Sequence, residues 1–174
     1  LTDKPHRTGS VATGKSEHIS VIEGRLKLCS SLVPKGIRTV KKRLQEGVPA
    51  ILDAPPGTSC SVVATLRDCD YVVLVTEPTP FGLHDLKLAV EMVRELKLPC
   101  GVLVNRNSED RVGLGAFCAE EGLPVLLSIP DDRQIAEVCS RGALLARAIP
   151  EYGRMFSGLA VRLRNETLKI GGRQ

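Results

Sequence analysis

Tyr71-Val72-Val73-Leu74-Val75-Thr76 is six residues of almost unbroken apolar sequence, followed at once by Glu77-Pro78-Thr79-Pro80 and then by Leu83, Leu86, Val90, Val93 and Leu96. A short β-rich run reads as a strand. Pro-bearing sequence breaks it. The apolar steps of three and four that follow place one stripe on a helix over 83–97. Strand, break and amphipathic helix in this order form the first part of a βαβ unit, whose partner strand must be parallel.

The same pattern recurs to either side. Ala50-Ile51-Leu52-Asp53, Gly101-Val102-Leu103-Val104-Asn105 and Pro124-Val125-Leu126-Leu127-Ser128-Ile129 are further apolar runs, near-continuous as strands covered on both faces must be. Helices are predicted near 59–68, 111–121, 132–141 and 151–165. Residues 49–165 therefore read as βα repeats, an α/β three-layer sandwich with a mostly parallel sheet. Upstream, Val11, Ile19, Val21, Ile22, Leu26 and Leu28 alternate loosely around Gly9, Gly14 and Gly24. That predicts a small β-hairpin element within residues 1–30. A basic amphipathic helix follows over roughly 32–45, with Ile37, Val40 and Leu44 on its buried side.

The 174 residues carry 43% hydrophobic and 25% charged side chains, with a mean hydropathy of +0.02. This is the range of a folded globular chain of one domain, 1–174. Aromatics make up 3%, too few for base-stacking platforms. The net charge of +4 gathers in part at Lys35, Arg38, Lys41, Lys42 and Arg43 and at Arg162, Arg164, Lys169 and Arg173. Both runs read first as solvated helix faces, and a nucleic-acid function ranks last. No apolar run reaches membrane-spanning length and the N-terminus has no apolar signal core, so a cytoplasmic chain without a membrane partner is expected. Six cysteines with no C-x-x-C pair argue against a zinc or iron–sulfur site held by this chain alone.

The sharpest chemical signal is Ile51-Leu52-Asp53-Ala54-Pro55-Pro56-Gly57-Thr58. An acid that closes a strand stands at the carboxyl edge of the sheet, where open α/β folds bind ligands. Asp53 there can hold Mg²⁺ through water, and Gly57 lets backbone approach a phosphate. On the residues alone, a rigid turn with Asp53 as a helix N-cap is equally open.

With Val75-Thr76-Glu77-Pro78-Thr79-Pro80-Phe81-Gly82-Leu83-His84-Asp85-Leu86, Val104-Asn105-Arg106 and Ile129-Pro130-Asp131-Asp132 added, the sequence resembles the MinD/ParA/Mrp class of P-loop ATPases. It is most similar to the subgroup with an inserted ferredoxin domain, over about residues 20–160. The resemblance implies an ATP-dependent dimerising switch linked to iron–sulfur or metallocofactor assembly, with ATP and Mg as cofactors. Asp53 would be the magnesium-side catalytic acid, and Gly57 the switch glycine. Asn105 would read the adenine edge with its paired donor and acceptor; Arg106, Pro130 and Asp131 would frame that pocket. Thr76, Glu77 and Pro78 would form the loop near the catalytic face and the dimer partner. Read bare, Asn105 can equally end a strand, Glu77 be a solvated acid and His84 a surface histidine.

Gly9-Ser10-Val11-Ala12-Thr13-Gly14-Lys15-Ser16 matches G-x-x-x-x-G-K-S formally. A P-loop needs a strand before it and a helix after it. Here polar sequence with Pro5 precedes and β-like sequence follows, so the match reads as coincidence. The subgroup's cluster cysteines are absent too. The chain is therefore expected to correspond to the C-terminal part of such an ATPase, inactive alone and completed by a homodimer partner or by a chain that supplies the P-loop half. The alternative is a non-catalytic partner or regulatory module that keeps the fold without turnover.

Overall fold

The computed structural model describes residues 9–16, 19–27, 32–108 and 112–171. The chain divides into two compact units, Leu1–Arg67 and Asp68–Gln174. Expectations that fall on Cys29, Arg111 and Arg173 lie outside the described residues.

The first unit begins with the hairpin. β1 (Gly9–Ser16) and β2 (Ile19–Leu26) pair antiparallel in register from Gly9↔Leu26 to Ser16↔Ile19. Helix α1 (Val33–Lys41) lies against it. A Cβ on Gly24 would come within 2.8 Å of Val40 Cγ2, and one on Gly36 within 3.2 Å of Leu26, so both glycines serve close helix–hairpin approach. Ile37, Val40 and Leu44 are half-buried, as their spacing predicts. Helix α2 (Cys60–Leu66) follows. Lys41 Nζ donates to the carbonyls of Thr65, at 3.1 Å, and of Arg67, which places a cation on carbonyls that end a helix.

One expected strand does not form. Residues 50–53 are irregular backbone, and Ile51 is 99% exposed. An apolar run becomes a strand only by pairing, and Pro49 and Pro55 at its flanks lack the N–H groups that extend a ladder. Asp53 therefore stands on an exposed loop, not at a strand end. It is not the N-cap of α2 either; that position is Ser59.

The second unit is the α/β sandwich. β3 (Val72–Thr76), β4 (Cys100–Asn107) and β5 (Val125–Pro130) form a parallel sheet in the order β3-β4-β5. Helices α3 (Pro80–Glu95) and α4 (Leu114–Glu120) lie on one side; α5 (Arg133–Ser140), α6 (Leu145–Ala148) and α7 (Pro150–Gly171) follow β5. Alternation along β4 divides the core. Val102 and Val104 pack with Leu86, Val90, Leu114 and Cys118, whereas Leu103 packs with Ile129 and Tyr152, joined by Ile135, Leu145 and Phe156. Both faces are covered, which is why the strands read as near-continuous apolar runs. Leu86, Val90 and Val93 of the predicted stripe are 3%, 1% and 0% exposed. Arg94 pairs with Glu121 and donates to its carbonyl at 2.9 Å, tying α3 to the end of α4.

Candidate functional site at the carboxyl edge of the sheet

Parallel strands deliver their last residues to one edge, and here three loops meet there. After β3, Thr76 is buried and its hydroxyl donates to the Gly82 carbonyl at 2.9 Å. The Thr79 side chain accepts from Gly82 N at 3.0 Å and caps α3, with Pro80 in the first turn. A Cβ on Gly82 would sit 2.3 Å from the Glu77 carbonyl oxygen. Only glycine fits, and the loop that carries Glu77 is fixed by that contact.

After β4 the register against β5 slips. Val104 pairs with Ser128 and Asn107 with Pro130, so Asn105 and Arg106 together face Ile129. This is a β-bulge, a device that re-aims side chains at sheet rims. Arg106 carries the distortion with φ +50, a left-handed conformation uncommon for a side chain of its size. Its guanidinium reaches acids on both neighbouring strand ends: Nε lies 3.3 Å from Asp131 Oδ1 and Nη1 4.0 Å from Glu77 Oε2. Asp131 N donates to the Asn107 carbonyl at 3.2 Å, which closes the β4 and β5 ends on each other. Asn105 is half-buried beside this clasp, and Pro130 is exposed at its rim.

Next along the chain, Asp132 caps α5, accepting from Gln134 N at 2.7 Å. Tyr152 of α7 is buried on Leu103 and Ile129. Burial pushes its hydroxyl above the ordinary tyrosine range, with the Asp132 and Glu151 carboxylates adding to the shift.

Glu77, Asn105, Arg106, Pro130 and Asp131, all singled out in the sequence, thus stand on one edge. The bulge, the left-handed Arg106 and Tyr152 have no counterpart in the sequence reading; the polar run Asn105-Arg106-Asn107 at the end of an apolar strand is the nearest signal. His84 is an exposed residue of α3. Asp53 and Gly57 belong to the first unit, where Gly57 has φ +88 with no atom near its missing Cβ.

The parts of a magnesium nucleotide fit this chain unequally. Asn105 offers an amide, with donor and acceptor together, to a base edge. Magnesium accepts one or two carboxylates with water completing its shell, and Asp53 is an exposed acid; no group of three His, Cys, Asp or Glu side chains converges as a metal cage among the described residues. A phosphate loop does not fit Gly9–Ser16. Gly9–Ser16 is a β-strand throughout, with Gly14, Lys15 and Ser16 opposite Val21, Ser20 and Ile19. Successive N–H groups of a strand point to opposite sides and cannot converge on one phosphate as a loop at a helix N-terminus does.

No protein-family model and no solved structure matches the chain. Among curated proteins, it is 30% identical over 144 residues to an uncharacterized protein of Methanocaldococcus jannaschii, an alignment that covers 82% of this chain and 50% of that one. It is 33% identical over 115 residues to the cytosolic Fe-S cluster assembly factor Nubp1 homolog of Drosophila yakuba, covering 53% of this chain and 37% of the fly protein; the Drosophila melanogaster protein matches to the same extent. The chain spans half or less of the length of these relatives. The matches tie it by homology to iron–sulfur cluster assembly factors. No helix among the described residues is long and apolar enough to cross a membrane.

Proposed function

We propose that this chain is the C-terminal, adenine-side portion of a MinD/ParA/Mrp-type nucleotide switch that works in cytosolic iron–sulfur cluster assembly. The observation that carries the reading is the placement of Asn105 on a bulge at the carboxyl edge of a parallel sheet, in a chain homologous to Fe-S assembly factors. Asn105 reads the base. Arg106, held between Glu77 and Asp131, is neutralised by acids on either side and frames the pocket without attracting phosphate. Asp53 is the water-mediated magnesium ligand and Gly57 the switch glycine of the completed site. ATP bound there supplies the energy of phosphate release to a switch between partner states. Asn105 and its neighbours hold the base, and the metal side and the phosphate cradle form only in the completed site.

The strand conformation of Gly9–Ser16 favours a second reading, in which the chain is a regulatory partner that keeps the fold without turnover. The two diverge when the chain is mixed with a P-loop-bearing subunit: the first expects ATP hydrolysis lost in Asp53→Ala, the second none. For the base site itself, adenosine added to ¹⁵N-labelled chain should shift amide resonances of residues 105–107 and 131–132, and do so no longer in Asn105→Ala. Shifts confined to other residues would sink the assignment.

A further inference from the structure

Helix α7 carries one apolar stripe that serves the fold and, opposite it, two exposed aliphatic side chains that do not. Tyr152, Met155, Phe156 and Leu159 pack into the core with Leu103 and Ile129. On the opposite side stand Gly158, Val161, Asn165 and Leu168, spaced three, four and three residues apart. Val161 is 60% and Leu168 64% exposed. With Arg162 and Glu166 these residues line a shallow groove of about 530 Å³.

The spacing has the 3.5-residue period of a seam that receives another helix. Gly158 has no atom within 4 Å of the position its Cβ would take, so the helix surface is open there to a side chain from outside. Asn165 stands in the middle of the seam. A polar residue at such a position fixes register once a partner covers it.

The rim identifies the partner's charge. Arg162 and Arg164 are exposed beside the seam, Arg154 is exposed one heptad before Val161, and Glu166 is the acid among the lining residues. Arg162 is held in place: its Nη1 donates to the carbonyls of Val125 and Leu126 at 3.0 and 3.3 Å, which fixes the guanidinium between the edge of β5 and the groove. Two copies of α7 laid together would set arginine rims against each other, and like charges at flanking positions disfavour pairing.

We propose that the outer face of α7 is a docking surface for an amphipathic helix of a different protein, one with an apolar seam, a polar residue opposite Asn165 and Asp or Glu along its flanks. This surface is independent of the nucleotide reading. It gives the C-terminal arginines, which no step at the sheet edge uses, a role in partner choice.

Two synthetic helical probes test it, each about three heptads long with Leu at the seam positions. One carries Glu at the flanks and the other Lys, and binding to the full chain is read by fluorescence anisotropy. The Glu probe should bind at least about threefold tighter than the Lys probe. Val161→Glu and Leu168→Glu should each abolish that binding with the far-UV spectrum unchanged, and Arg164→Glu should narrow the preference. Equal binding, no binding, or Glu-probe binding that survives Val161→Glu would overturn the proposal. So would a concentration-dependent dimer in sedimentation that Val161→Glu dissolves, which assigns the face to a second copy. Adsorption to phosphatidylserine vesicles without probe binding would assign it to lipid and overturn the proposal equally.

Discussion

Arg106 holds a backbone conformation that costs an L-residue about 1–2 kcal/mol, and its two ion pairs are exposed ones, worth about 0–1 kcal/mol each. The conformation is retained at the candidate site, where strain of this kind concentrates. Arg106→Gly removes both the strain and the pairs. Its stability in urea should stay within about 1 kcal/mol of the parent, while adenosine binding weakens; a large loss of stability would show that the clasp is chiefly structural. Gly82→Ala should behave oppositely. Its Cβ meets the Glu77 carbonyl at 2.3 Å, so the loop must move, at a cost of about 1–3 kcal/mol in urea unfolding. Cys100 gives a pH test. Burial pushes its thiol above the ordinary value of 9.0, with Arg94 opposing. The folded chain then keeps a proton that the unfolded chain loses, so stability falls as pH rises past that value. Alkylation at neutral pH should reach the exposed Cys60 and Cys139 well before Cys100 or the buried Cys118.

At the scale of elements, periodicity made most of the fold legible. The stripe Leu86, Val90, Val93 gave α3, and the runs at 71–76, 101–105 and 124–129 gave the three strands within two residues of their ends. The hairpin was legible in alternation alone, and its strand conformation removes Gly9–Ser16 as a phosphate loop. The run at 50–53 was misread because composition marks what can be a strand, while pairing makes one. The bulge at Asn105 and Arg106 was hidden for a related reason: register is a property of two strands, and neither sequence alone contains it. Glycines on α7 separate two roles that the sequence cannot distinguish. Gly158 is unobstructed, so Gly158→Ala should stabilise the chain by about 0.5–1 kcal/mol. A Cβ on Gly153 would come 2.7 Å from the Ala146 carbonyl, and Gly153→Ala should destabilise instead. Thermal melts of the two variants, shifted in opposite directions, are the check.

For the whole molecule, charge is divided between the units. Residues 1–67 hold eleven Lys and Arg against five Asp and Glu, whereas 68–174 hold thirteen against fifteen. The overall excess thus resides in the first unit, while the residues proposed to hold the base stand on a unit of slight negative charge, which does not favour phosphate. That agrees with the proposal that these residues serve the base side of a nucleotide site. The edge positions of Glu77, Asn105, Arg106 and Asp131 were legible because the apolar runs before them mark where the strands end; what these side chains hold was not, since acids, amides and prolines at strand ends serve turns and caps equally well.

The account's central claim is met most directly by calorimetric titration of the chain with adenosine and with Mg-ATP, alongside Asn105→Ala and Lys15→Ala. The account predicts that both ligands bind weakly and about equally, with Kd on the order of 1 mM, that Asn105→Ala removes both, and that Lys15→Ala changes neither. Micromolar binding of Mg-ATP, absent for adenosine and lost in Lys15→Ala, would contradict it and make Gly9–Ser16 a working phosphate loop.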